Sequence, residues 1–362
     1  MRKIFILLAI FAIIKTDAIS QGCVAIRSTG AICTKQDASH NTKGWQVNTA
    51  YRYFKSFRHF VGKEEQHERM ENNTEVINWQ HTLNFNVLRQ FNSRWSLAVD
   101  VPLITNKRSS LYEHGGNAAG PAARHNTNSA GVGDIRITGY RWLLDPMKSM
   151  KGNIQAGVGF KLPTGNYKVT DVFHRNDASK LTGPVDQSIQ LGDGGFGVTT
   201  EINAYYNFSH KVGVYGNFYY LINPREENGV STARGGTPSQ TAIDYKTTTM
   251  SVPDQYMARA GGNVSFGRLT ASAGMRYECI PSSDLIGGDE GFRRPGYVLS
   301  VEPGASYSFN RFVAFATVPV AVERNRTQSN ADKLRTAATG TYAHGDAAFA
   351  DYAVNVGISF KL

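Results

Sequence analysis

From Asn153 to Leu162 every second residue is apolar: Ile154, Ala156, Val158, Phe160 and Leu162. Asn153, Gln155, Gly157, Gly159 and Lys161 fall between them. A period of two is that of a β-strand, whose side chains alternate between faces. Ile135 and Ile137 repeat the pattern against Asp134, Arg136, Thr138 and Tyr140, and a turn over roughly Asp145 to Lys151 predicts a hairpin. One face of this hairpin requires an apolar surrounding and the other requires water.

The pattern continues to the end of the chain and predicts twelve antiparallel strands. Trp45, Val47, Tyr51 and Tyr53 oppose Gln46, Asn48 and Arg52. At the other end Tyr352, Val354, Val356, Ile358 and Phe360 oppose Asp351, Ala353, Asn355, Gly357 and Ser359. Pro319 predicts a break in the eleventh strand. Connections alternate between short turns, such as Ser209-His210-Lys211 and Gly267-Arg268, and long polar loops over about 58–75, 105–131, 166–194, from beyond Ile222 to about Pro253, 281–296 and 324–347. A sandwich has no reason to gather its long connections at one end. An outer-membrane β-barrel does, with short periplasmic turns and long external loops. Closure also removes the sheet edges that lipid cannot satisfy. Trp45, Trp95, Trp142, Tyr206, Tyr220, Phe309, Tyr352 and Phe360 suit interfacial girdles.

Arg2 and Lys3 precede an apolar run, Ile4 to Ile14, too short to span a bilayer, and Ala18-Ile19-Ser20 supplies a small-residue cleavage site. The expected organisation is a signal peptide over 1–20, a periplasmic segment or lumen plug over 21–43, and a barrel over 44–362. A lipoprotein reading through Cys23 is disfavoured by Ser20, where a lipobox places Leu. Cys23 and Cys33 form a disulfide candidate in an oxidising periplasm, and Cys279 is left as a free thiol. A mean hydropathy of −0.33 does not oppose a barrel, because only alternate strand residues meet lipid. The net charge of +10 is scattered singly, with no basic stripe, so nucleic acid is not an expected partner.

GVGDIRITGYRWLL, beginning at Gly131, and GVGFKLPTG, beginning at Gly157, resemble the hairpin of the outer-membrane "meta-pathway of phenol degradation" transporter-like family. That family is itself similar to FadL-type hydrophobic-substrate channels. The resemblance implies a barrel in the outer membrane of a Gram-negative bacterium. It also implies passive uptake of small-molecule solutes, hydrophobic or aromatic ones included. Phe360 resembles the aromatic of the terminal signal read by the barrel-assembly machinery, displaced here by Lys361 and Leu362. No catalytic or binding residue transfers.

Chemistry beyond passage finds little support. His59, His67, His114, His125, His174 and His344 fall in expected loops, without a nucleophile elbow or metal-binding spacing. Neither a catalytic site nor a cofactor is expected. Asp284, Asp289 and Glu290 among glycines permit a Ca²⁺ reading, but an ordinary polar turn is favoured. LGDGGFG at Leu191 precedes a strand, so a phosphate loop is excluded by context. The informative charges are Asp100, Glu201, Arg259, Arg276, Glu278 and Glu302, expected to point inward near strand middles and to line the lumen. They fit a bracing salt-bridge network and a selective, water-filled constriction equally well. A non-conducting, partner-binding barrel and a barrel enzyme with a loop site are the alternatives to a channel.

Overall fold

The computed structural model describes residues 43–149, 151–175 and 179–362. The signal peptide, almost all of the 21–43 segment and the Cys23–Cys33 pair lie outside the described residues.

Twelve strands form the barrel, in chain order: β1 (Gly44–Val61), β2 (Ile77–Gln90), β3 (Trp95–Ser110), β4 (Arg136–Trp142), β5 (Gly152–Lys161), β6 (Gly197–Asn207), β7 (Val212–Ile222), β8 (Gln255–Phe266), β9 (Leu269–Ile280), β10 (Gly296–Ser308), β11 (Phe312–Thr317 and Val320–Arg326) and β12 (Ala347–Lys361). Each pairs antiparallel with its sequence neighbours. The sheet closes where β12 meets β1, from Gln46–Lys361 to Phe60–Ala347. Both ends of the barrel chain meet at the short-turn rim, where the Leu362 N–H donates to Trp45 O at 2.9 Å.

The polarity is the reverse of a soluble protein's. Ile154, Val158, Phe160, Ile202, Val214, Phe218, Val356 and Ile358 are exposed on the outside. Asn84, Asn203, Asn217, Arg259, Arg276 and Glu302 are buried on the opposite face. This arrangement suits lipid outside and polar contacts within, and makes the protein an integral outer-membrane-type barrel. Paired glycines leave room on the inner face of the sheet for a ring to lean over them. The Tyr215 hydroxyl lies over the paired Gly261 and Gly274, where an added Cβ would meet it at 2.6 and 2.8 Å.

Three sequence expectations need correction. Trp142 belongs to no girdle: it is buried at 4 % exposure and packs edge-on against Tyr205. The region 105–131 is not simply a loop. β3 continues to Ser110 and pairs with a further strand, His125–Val132. Beyond the membrane its outward residues are Thr105, Lys107 and Ser109, so the ladder persists without an apolar face to signal it. β1 likewise runs on to Val61, into the expected 58–75 loop. The last loop holds a helix, Asn330–Thr339, started by a Ser329–Asp332 capping box and ended at Gly340 with φ of 68°.

The break in β11 is at Val318-Pro319. The Val318 N–H donates to Pro303 O and the Ala353 N–H to Pro319 O, so the ladder is re-satisfied on both sides.

Candidate conduction pathway

Strand register places Asn203, Asn217, Arg259 and Arg276 in one row across β6 to β9. Arg259 donates from Nε and Nη2 to Asn217 Oδ1 at 2.9 and 2.7 Å, and Asn217 Nδ2 donates to Asn203 Oδ1 at 2.8 Å. Arg259 Nη1 reaches Glu302 Oε1 on β10 at 3.0 Å, with Arg276 Nη1 3.7 Å from the other Glu302 oxygen. Arg276 Nη2 donates to Glu278 Oε1 at 2.9 Å. Arg52 Nη2, from β1, donates to the same oxygen at 3.0 Å. Strands β10, β11 and β12 separate β9 from β1. The network therefore crosses the barrel instead of running along its wall. Three buried arginines share two carboxylates, an arrangement that offsets desolvation only because each group meets several partners.

Asp100 and Glu201 belong to a second group on the facing wall. Asn84 Nδ2 donates to Asp100 Oδ1 at 2.9 Å, and Arg136 Nη2 lies 4.0 Å from the same oxygen. Tyr140 donates its hydroxyl proton to Glu201 Oε2 at 2.9 Å, and the Arg136 guanidinium sits 5.6 Å from the Tyr219 ring centre. The six charged positions singled out in the sequence thus occupy two clusters at mid-barrel. Arg52 and Arg136, which complete those clusters, were missed. Both stand at inward strand positions, so face alone would have found them.

Outward of these clusters lies a cavity of about 80 Å³, lined among others by Asp134, Arg136, Lys161, Gln187, Asp193 and Gln255. Lys161 pairs with Asp134 at 3.6 Å and with Asp193. The roof of this cavity is Val185–Leu191, the inward end of the long loop between β5 and β6. Its Val185 and Ile189 side chains are fully buried. Gln80 Nε2 donates to Ser188 O at 2.8 Å, Asn106 Nδ2 to Ile189 O at 3.1 Å, and Gln187 Nε2 to Ser251 O at 2.7 Å. Gln80 and Asn106 of the barrel wall thereby supply partners that a buried loop backbone requires, and Gln187 ties the segment to the connection between β7 and β8.

Ion pairs hold the same segment from outside. Arg294 grips Asp186 through two bonds, at 2.8 and 2.6 Å, and Arg108 Nη2 lies 3.4 Å from it. Arg108 and Arg234 both meet Glu113, at 2.9 and 3.1 Å. Burial alone would raise both carboxyls. Arg108 and Arg294 instead hold Asp186 well below the usual carboxylate range, and Arg108 and Arg234 lower Glu113. These loop residues carry no periodicity and were not legible in the sequence. Above them opens a vestibule of about 430 Å³ with Arg69, Arg234, Arg294 and Arg326 in its lining.

The expected loop histidines scatter. His59 lies buried in β1, with Nδ1 2.8 Å from Asp346 Oδ2 and Nε2 accepting from the Val76 N–H. His114, His125 and His174 gather above the outer end of β3, with ring centres 3.9 to 5.9 Å apart. The Ca²⁺ reading fails on geometry. Arg293 occupies both Asp284 oxygens at 2.9 and 2.8 Å, and Glu290 pairs with Lys246. No group of three or more His, Cys, Asp or Glu side chains suited to a metal occurs among the described residues.

No family model and no curated protein matches the chain. Among solved structures it is similar to an outer membrane channel from Pseudomonas putida F1, at TM-score 0.57 and 12% identity, over 94% of this chain and 100% of that one. A mutant of the TodX monoaromatic hydrocarbon channel gives TM-score 0.48 and 12% identity over 95% and 96% of the two chains. The translocator domain of the autotransporter NalP from Neisseria meningitidis gives 0.47 and 12% over 90% and 91%. The first of these shares the barrel fold, which is the fold the family resemblance implied.

Proposed function

We propose that the mature chain is an outer-membrane channel for passive uptake of small molecules, hydrophobic or aromatic ones among them. The observation that carries this reading is the Val185–Leu191 segment. It closes a polar cavity from outside through side-chain contacts and ion pairs, without being a strand of the wall. A closure of that kind is removable without breaking the barrel. Below it, Asp100, Glu201, Arg259, Arg276, Glu278 and Glu302, completed by Arg52 and Arg136, form the constriction a solute must pass, and their charges select among solutes. Residues 1–20 direct export, 21–43 serve as a periplasmic segment or plug, and Phe360 belongs to the signal for the barrel-assembly machinery.

A non-conducting structural barrel is the second reading, favoured by the Arg52–Glu278 contact that spans the lumen. Single-channel recording in a planar bilayer separates the two, using the mature protein and a form lacking 21–43. Steady or gated conductance in either form supports the channel. Silence in both, from protein shown to be folded, supports the structural barrel.

A further inference from the structure

On the outer wall, one cross-strand row of β1, β2 and β3 reads Lys55, Trp79, Lys107. Lys55 Nζ lies 5.8 Å from the Trp79 ring centre and Lys107 Nζ 5.3 Å from it. The next outward row toward the short-turn end is Tyr53, His81 and Thr105, and the one below is Tyr51, Leu83 and Leu103. The Tyr51 hydroxyl bonds to His81 Nδ1 at 2.7 Å, joining the two rows. The lysines therefore stand two rows beyond the row of Tyr51, Leu83 and Leu103, and Phe57, whose ring centre is 4.7 Å from Lys55 Nζ, stands further out still. Two rows are roughly 10 Å along the membrane normal for a tilted strand, the depth of the head groups.

The row borders a concavity of about 760 Å³ on the outside of the barrel, lined by Trp79, His81, Thr105, Lys107, Asn128 and Val169 among others. The lysines that form ion pairs among the described residues are Lys63, Lys161 and Lys246; Lys55 and Lys107 are not among them. Two ammonium groups at the edge of an apolar band, with no carboxylate among the described residues to meet them, offer a site to an anion from their surroundings. Each lysine near such a surface attracts anionic lipid. Trp79 adds an amphipathic ring of the kind that settles at head-group level.

We propose that this face binds a phosphorylated glycolipid of the outer leaflet, with Lys55 and Lys107 on its phosphates and Trp79 against its sugar–acyl boundary. The proposal rests on the outer-membrane placement of the barrel. The test titrates the folded full barrel in detergent micelles with bisphosphorylated lipid A, with dephosphorylated lipid A and with inorganic phosphate. Intrinsic fluorescence is the readout, with Trp79→Phe as the subtraction control. The expected result is that lipid A binds and that K55Q/K107Q weakens it by roughly tenfold or more, as loss of two lysine attractions implies. K55R/K107R should restore it, and the dephosphorylated lipid should bind as weakly as the glutamine variant. Equal affinity in the glutamine variant, or equal binding of both lipids, overturns the proposal. Full competition by inorganic phosphate at the lipid's own concentration also overturns it, in favour of a free-phosphate site. A heat-modifiable gel shift confirms that each variant is folded. A wild-type barrel that never inserts into vesicles would defeat the membrane placement instead.

Discussion

Arg52 on the first strand and Glu278 on the ninth meet at 3.0 Å across the lumen, with Arg276 sharing the same carboxylate oxygen. The two arginines are not equivalent partners. Arg276 stands two residues from Glu278 on its own strand, whereas Arg52 reaches over from a strand a third of the way round the barrel.

Arg52→Ala should therefore open the constriction at modest cost, about 1–3 kcal/mol, because Glu278 keeps Arg276. Glu278→Ala should cost more, about 3–5 kcal/mol, because it leaves two buried arginines facing each other. Urea titration of the folded barrel in vesicles measures both. Single-channel conductance should rise in Arg52→Ala, and Glu278→Ala, which removes a lumen carboxylate, should shift ion selectivity toward anions.

Asp186→Ala should release the roof segment. It strips Arg294 of both of its bonds to the segment and Arg108 of one ion pair. The local cost is about 3–5 kcal/mol, borne by Val185–Leu191 and not by the wall. Open-state occupancy should increase in recordings, while the heat-modifiable gel shift stays unchanged. A loss of the gel shift would show the segment to be part of the barrel's own stability.

The outer histidine cluster should confer acid sensitivity. Burial pushes His114 down to about 4, against an ordinary value near 6.5. Between those values the unfolded loop binds more protons than the folded one. Stability is therefore fully present above about pH 6.5 and is lost as pH falls toward 4. Protease cleavage of the external loops in intact vesicles should accelerate through that window. His114→Phe should flatten the dependence.

Ile202→Arg tests the membrane-facing surface. Ile202 is exposed at the middle of β6, paired with Ala156 and Phe218. An arginine at mid-bilayer should cost about 2–4 kcal/mol in folding into vesicles, read from the urea midpoint. An unchanged midpoint would place this face in water.

Alternation and loop spacing were sufficient to give twelve strands, their faces and the closure of β12 on β1. Side-chain direction in a strand is local: each residue points opposite to its neighbour wherever the strand ends up. The inward placement of Arg259, Arg276 and Glu302 followed from the same rule. Trp142 obeys it as well: it is in phase with Thr138 and Tyr140 on the inward face, and its place near a strand end was no ground for assigning it to the interface.

The pairing of those charges was decided only by tertiary structure. Whether Arg52 meets Glu278 depends on barrel width and on the stagger of strands eight positions apart in chain order, and neither is written in a period of two. The roof over the cavity was equally hidden. Val185–Leu191 is aperiodic, and it is placed by partners from four distant segments, Gln80, Asn106, Ser251 and Arg294. The sequence by itself determined a closed, lipid-facing sheet, because each strand carries its own two-faced solvent preference. Only the folded barrel decided how its interior is crossed and covered, because those contacts join residues that no local rule relates.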